Sequence, residues 1–140
     1  MQARELALSH ARSRMAVGAA LVLAPGLVGS RWIGDDATRP AVKVFARALG
    51  VRDVALGLGI AVALDRGAPA RGWLEAAALS DAVDLVATQI AGDAIPAGGR
   101  RVLSLVAGAS MIGCAAMART VDEPPVPDVH APEAGLTGHH

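Results

Sequence analysis

The chain has 140 residues, 53% of them apolar and 19% charged, with 16 glycines and no tyrosine. Counting glycine raises the apolar share to about 64%, against about 45–50% for soluble domains on the same count, and a domain this small leaves too much surface in water to hide that excess in one core. Thirteen basic residues balance thirteen acidic ones, so no net field exists to hold a nucleic acid or an acidic substrate.

The first apolar run, Met15 to Ser30, lies between Arg14 and Arg31. As a helix it covers about 24 Å, short of a bilayer core of about 30 Å. Extending it to 12–33 closes the gap, because arginine lays its stem along hydrocarbon and keeps its head at the interface. Pro25 and Gly26 are expected to kink this helix. A cleaved signal peptide is the competing reading, since Arg4, Arg12 and Arg14 precede the apolar run; the three apolar segments that follow favour a first span.

The second segment, 41–64, follows the breaker-rich stretch Gly34 to Pro40 and carries Lys43, Arg47, Arg52 and Asp53 before the uncharged run Val54 to Leu64. The third, 73–92, includes Asp81 and Asp84, and the fourth, 101–118, is uncharged from Val102 to Ala118. Short connections rich in Gly and Pro make consecutive helices antiparallel neighbours. The expected architecture is therefore all-α: a four-helix transmembrane bundle over residues 1–119 with short loops. From Thr120 the composition turns to Pro124, Pro125, Pro127 and Pro132 among acidic residues, so 120–140 is expected to be a disordered acidic tail. The terminal pair His139 and His140 has no partners in sequence for a metal.

Trp32 follows the first segment and Trp73 opens the third; these two segments run the same way, so the indoles fall at opposite interfaces of a bilayer. Basic residues outside the spans divide six to five between the two sides. The basic amino-terminal stretch favours both termini on the cytoplasmic side of the inner membrane.

The mid-depth charges are the distinctive feature. An ionised side chain at a bilayer centre costs at least about 2.5–3.5 kcal/mol, so such residues face protein and find partners. Arg52, Asp53 and Asp84 share one depth at the midpoints of the second and third segments. Asp53 lies on the small-residue stripe Ala46, Gly50, Gly57 and Ala61, which lets another helix approach closely. Asp81, Asp84 and Thr88 form a polar face on the third segment. The expected internal network is Arg47, Arg52, Asp53, Asp81, Asp84 and Thr88, in which two arginines oppose three aspartates. The surplus carboxyl should bind a proton or attract a cation. Cys114 is the single cysteine, has no histidine close in sequence, and is read as a packing residue.

The string Arg47, Gly50, Arg52, Asp53 and Gly57, with Trp73, Asp81 and Asp84, resembles a group of small bacterial four-helix integral membrane proteins whose second helix carries a G-x-R-D-x-x-x-G signature. The resemblance covers residues 12–118 by layout and implies four spans. It implies no reaction, cofactor or site residue.

The leading expectation is a non-enzymatic, multi-pass protein of the inner membrane, with the lipid bilayer as its surroundings and no cofactor, metal or catalytic residue. One alternative is a proton- or cation-linked small-molecule carrier or binding subunit. Another is a magnesium-dependent membrane lipid enzyme using Asp81 and Asp84 of the Ser80-Asp81-x-x-Asp84 string, although no second aspartate motif accompanies it. Stripes such as Ser104 with Gly108 and Ala109 with Gly113 suit packing within the chain, against a second copy or against another membrane subunit.

Overall fold

The computed structural model describes residues 2–123, and these are helical, with no strand among them. Five α-helices run in chain order: α1 (Gln2–Leu23), α2 (Pro25–Ile33), α3 (Pro40–Asp65), α4 (Arg71–Ala91) and α5 (Ala97–Thr120). Short 3-10 turns, Gly34–Thr38 and Gly92–Ala94, lead into α3 and α5.

Three of the expected segments match α3, α4 and α5 to within a few residues. The first does not. The continuous helix expected over 12–33 is instead α1, which starts at Gln2, followed by α2 after a break at Ala24. The bend there is 106°, a turn of the chain and not a kink. Pro25 supplies no N–H to α1 and crowds the residue before it, and Ala24 accordingly leaves the helical region with φ −132° and ψ 56°. The same proline then opens α2 at a position where a missing donor costs nothing. Gly34 ends α2 with φ 67°, and Gly92 ends α4 with φ 54°, left-handed conformations that glycine adopts without strain.

The long helices alternate in direction. Gly18 of α1 meets Gly50 of α3, whereas Arg4 at the start of α1 donates to the Leu64 carbonyl near the end of α3. Gln89 and Ser104 likewise join the end of α4 to the start of α5. α1 packs along α3, and α4 along α5. The α1–α3 seam is tight because it is made of small residues: a Cβ on Gly50 would lie 2.5 Å from the Gly18 carbonyl oxygen, and one on Gly57 would lie 2.6 Å from that of Ala11. Gly108 faces Leu85 of α4, so the Ser104–Gly108 stripe packs within the chain.

The apolar core sits at the end holding the α1 amino terminus. Ala7, Ala11, Ile60, Leu74, Ala77 and Cys114 are fully buried there. Val121 and Asp122, which the expected tail includes, are held against the helices. Val121 is buried, and the Asp122 carboxylate accepts hydrogen bonds from the backbone N–H groups of Ala70 at 2.9 Å and Arg71 at 3.1 Å, capping α4. Residues 124–140, with the terminal histidines, lie outside the described residues.

By length and composition α5 is the one described helix apolar enough to cross a membrane; α1 and the segment after it reach that standard together, across their bend.

Candidate functional site

Halfway along the long helices, polar side chains from α1, α3, α4 and α5 converge. Arg14 is their hub. Its side chain is 6% exposed, and its guanidinium donates to Asp53 Oδ1 on α3 at 3.2 Å, to Asp81 Oδ1 on α4, and to Ser110 Oγ on α5 at 3.4 Å. A planar guanidinium with five fixed donors suits such a three-way junction.

Arg52 forms the second half. It grips Asp84 through both terminal nitrogens, Nη1 to Oδ1 at 3.0 Å and Nη2 to Oδ2 at 2.6 Å, and Nη2 also reaches Asp53 Oδ1 at 3.3 Å. Asp53 Oδ1 thus joins the two arginines. The Arg52–Asp84 pair lies nearer the surface, each side chain being about one-third exposed. Arg52 Nε and Ser80 Oγ are buried without a hydrogen-bond partner among the described residues.

The pairing of Arg52 with Asp84 is the one expected from their shared depth. Asp53 faces a closely packed helix, as its stripe of small residues predicts, but that helix is α1 and its partner there is Arg14. Thr88 is buried, and its hydroxyl donates to the Asp84 carbonyl at 2.7 Å, within its own helix. Arg47 does not join the network. It is exposed, and its Nε donates to the Val22 carbonyl at 3.3 Å, where α1 has run out of amide partners for its last carbonyls. The count of two arginines against three aspartates survives with Arg14 in the place of Arg47.

Arg14 was expected at an interface because it borders an apolar run. Its helical phase says otherwise: Ala7, Ala11, Arg14, Gly18 and Leu21 follow spacings of four and three and are the buried residues of α1. That stripe was readable once α1 is allowed to start at Gln2.

A second cluster adjoins the hub. Ser110 donates to Asp81 Oδ2 at 2.6 Å, and its Oγ lies 3.4 Å from His10 Nε2. The same His10 nitrogen is 3.1 Å from Cys114 Sγ. His10 stands one turn before Arg14 on α1, and Ser110 one turn before Cys114 on α5. Cys114 is fully buried, as a packing residue would be, yet it has a histidine beside it from the far end of the chain.

A cavity of about 510 Å³ opens beside these groups. His10, Arg14, Asp53, Asp81, Asp84 and Ser110 line its polar side, while Val17, Leu21, Leu103 and Val106 line the rest. Asp81 and Asp84, the candidate magnesium ligands of the enzyme alternative, are both held by arginines, and a magnesium ion would have to compete with those pairs.

Comparison with protein-family models, curated proteins and solved structures gives no match, so the geometry above carries the functional reading.

Proposed function

We propose that the chain is a non-enzymatic integral membrane protein whose four long helices cross the bilayer and are tied at mid-depth by the Arg14–Asp53–Asp81 and Arg52–Asp84 pairs. The observation that carries this reading is the inverted distribution of side chains. Arg14 and Asp81 are buried, whereas Phe45, Leu79, Ile90 and Leu105 are each more than two-thirds exposed. Water penalises that arrangement at both places, and lipid favours it outside while forcing the ions inward. The long helices have 21 to 26 residues, about 32–39 Å of rise, enough for a bilayer core of about 30 Å. Composition alone underrates α3 and α4 because Arg52, Asp53, Asp81 and Asp84 count against them although they pair with protein groups. α1 is the least apolar of the four, with Glu5 and Arg12 exposed.

Fractionation tests the reading. The full chain should sediment with membranes and resist alkaline carbonate extraction. Recovery as a compact monomer in the aqueous fraction, without detergent, would overturn it.

The cavity favours binding as the activity such a protein carries. Its volume falls within the range of about 300–1,000 Å³ typical of small-ligand sites, and it joins an apolar wall to a charged floor with one carboxylate in surplus. A cation-linked binding subunit or carrier suits that floor. Ligand-dependent melting of the protein in detergent that disappears in Asp53→Asn would support this; melting indifferent to every organic cation tried would leave the network a purely structural tie.

A further inference from the structure

We propose that His10, Asp81 and Cys114 form a binding site for a divalent ion of the zinc class, set into the wall of the polar network. One ligand atom from each residue lies within 4.8 Å of the other two, and His10 Nε2 is already 3.1 Å from Cys114 Sγ. A tetrahedral ion with bonds of about 2.0–2.3 Å holds its ligands about 3.3–3.8 Å apart, so small side-chain rotations bring the three donors to coordinating distance. The three come from three different helices, α1, α4 and α5, which fixes their approach from different directions.

The donor set selects the ion. A thiolate and an imidazole are softer ligands than calcium or magnesium accept, and with a single carboxylate they match zinc and its cobalt substitute. Charge selects it too. Arg14 and Arg52 leave one of the three aspartates unbalanced; ionising Cys114 makes the surplus two, which one divalent ion cancels. Binding therefore releases the thiol proton to solvent as the metal–sulfur bond forms.

The neighbours are arranged to support this. Arg14 holds Asp81 through Oδ1, and only the weaker partner Ser110 occupies Oδ2, so Oδ2 can turn to the ion while Oδ1 stays anchored. His10, Asp81 and Ser110 all line the cavity. Three protein ligands leave a fourth position, which water or a molecule entering that cavity would take. The site requires only that the helices pack as described and stands whether or not the chain crosses a membrane.

Cobalt titration of the purified full chain tests it, with circular dichroism reporting the fold. One Co²⁺ per chain should bind, with a thiolate-to-cobalt charge-transfer band and the visible bands of a tetrahedral ion, and Zn²⁺ should displace it. That band reports Cys114 alone, so His139 and His140 cannot imitate it. Cys114→Ser should abolish the band, and His10→Ala should weaken binding by at least about tenfold. His10 is only partly buried, so His10→Ala keeps the test decisive should Cys114→Ser fail to fold. Absence of the band in the folded wild-type chain, or a folded His10→Ala variant that binds cobalt as the wild type does, would overturn the site.

Discussion

Arg14 and Asp53, 39 positions apart in sequence, form an ion pair at 3.2 Å across the α1–α3 seam, with side chains 6% and 16% exposed. The same guanidinium holds Asp81, so α1 binds α3 and α4 through one side chain. Arg14→Met should destabilise the fold by about 3–5 kcal/mol, because it leaves buried Asp81 without a countercharge and Asp53 with Arg52 alone. Arg14→Lys should recover only part of that, since a single ammonium cannot reproduce the fork. Chemical unfolding in detergent measures both. A loss below about 1 kcal/mol for Arg14→Met, the scale of an exposed pair, would remove Arg14 as the hub.

The Arg52–Asp84 pair is bidentate but one-third exposed, and solvent screening should reduce its worth to about 1 kcal/mol. Arg52→Asp should nonetheless cost more than that, because it sets a third carboxylate against Asp53 and Asp84. Adding Asp84→Arg should restore part of the loss, while adding Asp81→Arg should not, since Asp81 is bound to Arg14. Equal rescue by the two second-site changes would deny the specific pairing.

Gly57 tests the α1–α3 seam. A methyl group there would meet the Ala11 carbonyl oxygen at 2.6 Å and the Met15 side chain at 2.7 Å, and the carbonyl belongs to a helix that cannot yield locally. Gly57→Ala should cost about 1–3 kcal/mol by overpacking, despite alanine's better helix propensity. Gly72→Ala, where nothing lies within 4 Å, should be neutral or slightly stabilising. Unfolding midpoints for the two variants decide the matter, and similar values would mean that the helices do not meet at Gly57.

Much of this arrangement was legible in residue order. The positions of α3, α4 and α5 follow from apolar runs between Gly- and Pro-rich turns, and the meeting of Arg52 with Asp84 follows from equal depth on antiparallel helices. The 106° turn at Ala24 was not legible to that extent. Pro25 announces a break, but its angle depends on what α2 packs against, and that includes Gly99 at the start of α5, distant in sequence. Arg14 was hidden because a charge bordering an apolar run looks like its boundary until the phase of the preceding residues is included. The neighbours His10 and Cys114 are 104 positions apart, and only the fold brings them together.

The turn after α5 offers the last test. The first residues of α4 present backbone N–H groups that lack intrahelical acceptors, and Ala70 has no side-chain oxygen to offer them. Asp122 supplies two, accepting from Ala70 and Arg71 across the α4–α5 hairpin, and its charge suits the positive end of the α4 dipole. Asp122→Ala should therefore cost about 0.5–2 kcal/mol, the usual loss for a helix cap. Asp122→Asn should fall between, keeping one acceptor and losing the charge. Amide hydrogen exchange localises the effect: protection should drop at residues 70–74 and hold in the middle of α3. Unchanged exchange at Ala70 and Arg71 in the Asp122→Ala protein would show that the carboxylate does not cap the helix.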